Sequence, residues 1–335
     1  MKTNQVRVIF RRALKGLNLL YSIVKGEPFA LSIFITERCN SRCKICGIWK
    51  KKNPQDMSVE LFRRIINDVP KRTSIIITGG EPLLHPRIDD VFTILTKQNR
   101  AFSLLSNGIL ADLLIEKVKK FNIKSLTLSC DGPKETYKKV RGVDNYDNII
   151  RILEELSGKL EINLRYTINP LNNIEDLIKV KELADSYGVK LGVSIYDEPK
   201  YFDTTLKKRR ISDIDPSTFE SFPFDKWLKL YNSWLSGNLK LPCYSIRFTC
   251  TILPDGKVLM CQAKDVVLGD LNEKSFKQIW HAKETKDVQR KFKNCNECWL
   301  QCQRPYDIAL CSLMSSLLPK TLLNKVVGKY DWDKL

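Results

Sequence analysis

The chain has 335 residues, 43% of them hydrophobic, and a formal net charge of +18, enough for one large domain or two smaller ones with a sizeable core, which excludes a disordered protein. Its eleven cysteines fall below the density of a disulfide scaffold, and no run of about eighteen apolar residues is long enough to span a bilayer. The charge would attract nucleic acid, anionic lipid or a phosphorylated substrate, but the basic residues are dispersed and lack interleaved aromatic residues, so a solvated basic surface is the simpler reading.

Residues 1–29 read as a basic amphipathic helix, with Val8, Ile9, Ala13, Leu17, Leu20 and Val24 near helical spacing. Arg11, Arg12 and Lys15 interrupt the apolar stretch and no small-residue cleavage site follows, so it fails as a secretory signal and a cytoplasmic protein is expected. Such a helix packs on its own domain or lies on an anionic membrane surface. No separate peptide-recognition domain is expected before residue 30.

From residue 30 to 196 the pattern is strand, then helix, repeated. Strands are predicted at 30–36, 74–78, 102–106, 125–129, 162–168 and 189–195, several of them near-continuously apolar as buried parallel strands are. Helices are predicted at 58–69, 88–98, 111–121, 145–156 and 173–188, the last capped by Asn173 and stopped at Gly188. This alternation predicts an α/β fold, a partial (β/α)6 TIM-like barrel, with chemistry at the carboxyl ends of the strands. Residues 197–241 read as a connector with a helix near 224–235, residues 242–311 as a small cysteine-rich C-terminal domain, and residues 312–335 as an apolar, basic tail.

The first strand is followed by "TERCNSRCKICGIWK", which sets Cys39, Cys43 and Cys46 in one loop. Structural zinc wants four closed ligands, and this loop offers three in a chain with two histidines. Three thiolates instead suit a 4Fe-4S cluster whose fourth iron stays open for a small molecule.

C-x3-C-x2-C with an aromatic residue, Trp49, close behind it resembles the radical S-adenosylmethionine superfamily. The resemblance implies that the open iron chelates the methionine amino and carboxylate groups. It also implies reductive cleavage to a 5′-deoxyadenosyl radical, which abstracts a hydrogen atom from a substrate. "TGGEPLLHP" supplies Gly79, Gly80, Glu81 and Pro82, matching the family motif that meets the methionine ammonium. Glycines there let carbonyls approach a ligand, and a carboxylate suits a cation. Ser106 and Asn107 end the third strand, and "LTLSCDGPKETYKKVRG" resembles the S-x-D-G segment and downstream Arg-Gly of many members, making Ser129 and Asp131 cofactor-pocket candidates. Cys130 reads as a small core residue, and His85 and His281 as surface or packing residues. Arg165, flanked by apolar residues in a strand, is expected either to hold a cofactor carboxylate or to pair with an acid.

The later cysteines resemble the SPASM or twitch extensions of the superfamily, which carry auxiliary 4Fe-4S clusters. Cys243, Gly256 and Cys261 reproduce C-x9-15-G-x4-C around a predicted hairpin at Asp255 and Gly256, and Cys295 and Cys298 give the following C-x2-C. The sequence then departs from the family's C-x5-C-x3-C, reaching Cys302 and Cys311 at other spacings, which leaves one auxiliary cluster as the expectation. Its expected ligands are Cys243, Cys261, Cys295 and Cys298, with Cys250 and Cys302 as alternates, and zinc could occupy the same thiolates. Sulfatase maturases carry an aspartate directly after the cysteine of the G-x4-C hairpin, whereas this chain has Gln262.

The expected partners are a reductant such as flavodoxin or ferredoxin and a peptide, lipid or small-molecule substrate, with peripheral membrane contact through the termini. The rival reading is a zinc- or iron-sulfur-stabilised nucleic-acid-binding protein without radical chemistry.

Overall fold

The computed structural model describes residues 18–19, 21–197 and 226–335. Residues 1–17 and 20 of the predicted N-terminal helix (1–29) and residues 198–225 of the connector therefore lie outside the described residues.

Six parallel strands run in chain order across a sheet: β1 (Ala30–Phe34), β2 (Ser74–Thr78), β3 (Phe102–Ser106), β4 (Ser125–Ser129), β5 (Glu161–Ile168) and β6 (Lys190–Ile195). Between them lie α1 (Val59–Asp68), α2 (Ile88–Lys97), α3 (Ala111–Phe121), α4 (Lys134–Arg141), α5 (Tyr146–Leu156) and α6 (Ile174–Ser186). Each strand and helix predicted between residues 30 and 196 is present, and the sheet with its helices is the partial (β/α)6 barrel the sequence implies. The pattern did not mark α4, whose "KETYKKVR" buries only Tyr137 and Val140.

The helix starts follow local chemistry. Ser58 accepts a hydrogen bond from the Leu61 amide at 3.1 Å, and Asn173 forms a reciprocal capping box with Asp176. Leu31, Ile33, Ile75, Ile77, Leu104, Leu126, Leu128 and Leu164 are fully shielded from solvent, and Phe62, Val91, Phe92, Ile149 and Ile152 pack against them from the helices. This burial is the main force holding helices to sheet.

The C-terminal region continues the same sheet. After α7 (Lys226–Lys229) and α8 (Tyr231–Leu235), β7 (Thr249–Ile252) runs parallel to β1, pairing Leu31 with Cys250. Strands β8 (Lys257–Leu259) and β9 (Val267–Asp270) add antiparallel, so the full order is β6-β5-β4-β3-β2-β1-β7-β8-β9. The predicted hairpin at Asp255 and Gly256 is the β7–β8 turn. Four helices follow: α9 (Phe276–His281), α10 (Lys283–Lys291), α11 (Arg304–Leu317) and α12 (Lys320–Val326). Trp299 stacks between Trp227 and Trp234, its ring centroid 6.4 and 5.3 Å from theirs, and so docks α7 and α8 on the cysteine-rich loop. No helix among the described residues is long and apolar enough to cross a membrane.

Candidate active site

Parallel strands bring the segments that follow β1 to β5 to one rim. The cysteine loop leaves β1 and is stitched to the end of α4: the Arg42 amide donates to the Arg141 carbonyl at 3.1 Å, the Lys44 amide to the Val140 carbonyl at 2.9 Å, and Ser41 Oγ to the Arg141 carbonyl at 3.1 Å. Within the loop, Trp49 Nε1 donates to the Cys43 carbonyl at 3.1 Å, and the Arg42 guanidinium lies 5.1 Å from the Trp49 ring centre. Cys43 is buried, and Cys39 and Cys46 are half-buried.

The turn after β2 packs directly on this loop. The Gly80 amide donates to the Thr36 carbonyl at 2.8 Å and the Glu81 amide to the Arg38 carbonyl at 2.7 Å. A Cβ at Gly79 would stand 2.4 Å from the Thr36 carbonyl oxygen, and one at Gly80 would stand 2.2 Å from that of Arg38. The glycines therefore permit a backbone approach that no side chain could.

Glu81 is almost wholly buried, and its carboxylate is engaged by the chain itself. Ser106 Oγ donates to Oε1 at 3.0 Å, the Leu83 amide to Oε1 at 3.3 Å, and the Asn107 amide to Oε2 at 2.8 Å. Burial pushes this carboxyl up to about 7 against those stabilising bonds. Pro82 is buried at the start of a short 3-10 turn. His85 packs beside it, Nε2 on the Met57 carbonyl at 2.8 Å and Nδ1 accepting from the Arg87 amide, in line with the expected packing role.

Asp131 follows β4 and is fully buried. Its Oδ1 accepts from the Thr167 amide at 2.7 Å and its Oδ2 lies 2.6 Å from Arg141 Nε. Arg141 is the arginine of the Arg-Gly downstream of the S-x-D-G segment, and its place before Gly142 at a helix end is the signal that marks it. A terminal nitrogen of Arg141 reaches Cys43 Sγ at 3.7 Å, and Asn107 Nδ2 reaches Cys39 Sγ at 3.9 Å. Burial opposes the charge on Arg141, yet Asp131 and then Cys43 hold it protonated above the ordinary arginine range. Burial pushes the Cys39 thiol up to about 11 and the Cys46 thiol up to about 12. A metal at this loop would displace those protons, and a cation and an amide stand ready to stabilise thiolates. The trio thus fits an anionic thiolate-ligated cluster.

Ser129 is buried on β4, in register with Arg165 on β5. Arg165 donates to Ser194 Oγ at 3.3 Å, and Ser194 Oγ donates to Gln301 Oε1 at 2.6 Å. No carboxylate pairs with Arg165 among the described residues, and burial pulls its pKa down to about 10.

Cys243, Cys261, Cys295 and Cys298 line one cavity of about 80 Å³, with Asp197 and Gln303 on its wall. Arg304, buried and unmarked in the sequence reading, organises the backbone around it. Its guanidinium donates to the carbonyls of Cys298 at 3.0 Å, Pro242 at 3.2 Å and Cys295 at 3.2 Å. It also lies 3.4 Å from Asp307, whose Oδ1 accepts from the amides of Tyr244 and Ser245 at 2.8 and 2.7 Å. Cys250 and Cys302 line a different, smaller cavity with Ser32, Ile76 and Tyr306. Cys311 is buried with Leu323 and Trp332, and Cys130 is buried in the main core.

Beside the cysteine loop an open cleft of about 650 Å³ is lined by Glu37, Lys51, Lys52 and Gln55 on one side and by Asp255, Lys257 and Asp265 on the other.

The Radical SAM superfamily model matches residues 33–184, and the SPASM model, an iron-sulfur cluster-binding domain, matches residues 243–303. Among curated relatives, a GTP 3′,8-cyclase of Aliarcobacter butzleri is 28% identical over 169 residues, 47% of this chain and 52% of that protein. A probable GTP 3′,8-cyclase of Saccharolobus islandicus is 27% identical over 172 residues, 49% of this chain and 56% of that one. The chain spans about half the length of the curated relatives it matches. Among solved structures, Streptococcus suis SuiB bound to S-adenosylmethionine superposes with a TM-score of 0.58 at 15% identity, over 79% of this chain and 68% of that one. Native anSMEcpe with bound AdoMet gives 0.59 at 19% identity, over 81% and 86%. These two share the fold.

Proposed function

Because this chain belongs to the radical S-adenosylmethionine superfamily and carries a C-terminal SPASM iron-sulfur domain, we propose that Cys39, Cys43 and Cys46 hold the cluster that binds S-adenosylmethionine. As a radical S-adenosylmethionine enzyme it uses that cofactor and iron-sulfur clusters, with the auxiliary cluster assigned to Cys243, Cys261, Cys295 and Cys298. The observation that carries the assignment is the convergence on one rim of three thiols, the buried Asp131–Arg141 pair beside Cys43 and the Asn107 amide beside Cys39.

A cluster held by Cys39, Cys43 and Cys46 would supply the reducing electron for cleavage of S-adenosylmethionine, the chemistry from which hydrogen abstraction at a substrate would follow. The chain's own residues hold and orient. Arg141 and Asn107 stabilise the charge of Cys43 and Cys39. Gly79 and Gly80 bring backbone close to the methionine ammonium. Arg165 offers its guanidinium to the methionine carboxylate with Ser129 beside it, a pairing that would offset the cost of burying its charge. Glu81 fixes Ser106 and Asn107 at the pocket edge.

The substrate comes from the peptides, lipids or small molecules accessible to such chemistry. The mixed lysine and carboxylate lining of the cleft favours a peptide or a polar small molecule. A basic surface suits an acidic reductant such as flavodoxin or ferredoxin.

Anaerobic purification tests the reading. Brown protein with about eight irons per chain that releases 5′-deoxyadenosine on reduction is expected. Replacing Cys39, Cys43 and Cys46 together by alanine should leave about four irons and no 5′-deoxyadenosine. Colourless, zinc-loaded protein would sink it.

A further inference from the structure

The C-terminal helices have two apolar faces, and the fold uses one. On α11 and α12 the inward face supplies Cys311, Met314 and Leu323, which pack with Val327, Tyr330, Trp332 and Leu335. That contact fixes the hairpin in place. The opposite face carries Leu313 and Leu317, four residues apart on α11, Leu318 at the turn, and Leu322 and Val326, four apart on α12. All five are exposed, Leu317 at 70% and Val326 at 72%. Helical spacing puts Leu313 and Leu317 on one face of α11 and Leu322 and Val326 on one face of α12, with exposed Leu318 in the turn that joins them. An apolar ridge on a rigid element marks a contact surface.

Charge identifies the occupant. Between Asp307 and Asp331 the chain has no acidic residue and three lysines, Lys320, Lys325 and Lys329. Lys320 is occupied by Asp333, whereas Lys325 and Lys329 are exposed and make no ion pair among the described residues. Apolar side chains flanked by free cations, with no carboxylate between them, match a bilayer surface whose headgroups are anionic. A nucleic acid would offer nothing to the leucines.

We propose that the α11–α12 hairpin docks the enzyme on anionic membranes, its leucine ridge dipping below the headgroups and Lys325 and Lys329 contacting lipid phosphates. None of these residues is assigned to either cysteine site, so the claim is independent of the radical assignment.

The test uses the full-length, cluster-loaded protein and sedimentation with vesicles of phosphatidylcholine alone or mixed with phosphatidylglycerol. Wild type should sediment with the mixed vesicles and be released by about 0.5 M salt. The double substitution Leu317→Glu, Leu322→Glu should lower partitioning by more than about tenfold. The pair Lys325→Ala, Lys329→Ala should weaken it by roughly fivefold per lysine. Iron content and melting temperature, measured in parallel, should stay at wild-type values because all four side chains lie outside the core. Three results would each overturn the proposal: wild type left in the supernatant, equal binding to neutral and anionic vesicles, or glutamate variants that sediment like wild type. So would a vesicle-free dimer that the same glutamates dissociate, since the ridge would then belong to a second copy of the chain.

Discussion

Asp131 and Arg141 form a buried ion pair 2.6 Å apart, and the same arginine accepts the cysteine loop on its backbone carbonyl and reaches Cys43 Sγ at 3.7 Å. The pair thus ties the end of β4 to the loop that follows β1. Removing one member of such a pair leaves an uncompensated charge and costs about 3–5 kcal/mol. Asp131→Asn should therefore lower the denaturation midpoint of the anaerobic protein by that amount in free energy, read by circular dichroism. A midpoint within about 1 kcal/mol of wild type would show that the arginine finds another partner.

Gly80→Ala probes the contact between the β2 turn and the cysteine loop. Its methyl group would press on the Arg38 carbonyl, which cannot rotate away as a side chain would. Overpacking of this kind costs about 1–3 kcal/mol, and here the strain falls next to Cys39. Iron per chain should fall from about eight toward about four, with the auxiliary site still loaded.

Arg304→Met should do the converse. It keeps the packing volume but removes the donors to the carbonyls of Pro242, Cys295 and Cys298 and exposes Asp307 to burial without its cation. Loss of about four irons with 5′-deoxyadenosine release retained is the expected outcome of paired iron and product assays.

Ser194→Ala tests how Arg165 is held. The Arg165–Ser194–Gln301 chain joins β5 and β6 to the cysteine-rich loop. Without the hydroxyl, affinity for S-adenosylmethionine should drop several-fold, while affinity for methylthioadenosine, which lacks the carboxylate, should not change. Equal weakening for both ligands would mean that Arg165 does not meet the carboxylate.

Cys250→Ala and Cys302→Ala should each keep the wild-type iron content, because neither residue lines the cavity shared by Cys243, Cys261, Cys295 and Cys298. Iron analysis of the two variants decides the ligand set directly.

The half-barrel was legible because its signals are local: continuous apolar runs such as "SIIIT", Asn173 as a cap and Gly188 as a stop. Helix α4 was not, since "KETYKKVR" is polar on most of its surface and buries just Tyr137 and Val140. The cysteine loop announced itself by spacing alone. Its supports did not, because Arg141 with Asp131, and Arg304 with the Pro242 carbonyl, are relationships set by how distant segments meet. The Glu81 carboxylate is a further case. Its sequence neighbourhood suggested a charge offered to a ligand, and the fold adds bonds to Ser106 and Asn107, more than twenty positions away.

The hydrogen-bonded seam between β1 and β7 makes the two iron-binding halves one plank rather than two hinged boards. Any displacement of one cysteine site relative to the other would have to break or bend that seam, so their spacing is set by the sheet rather than by a linker.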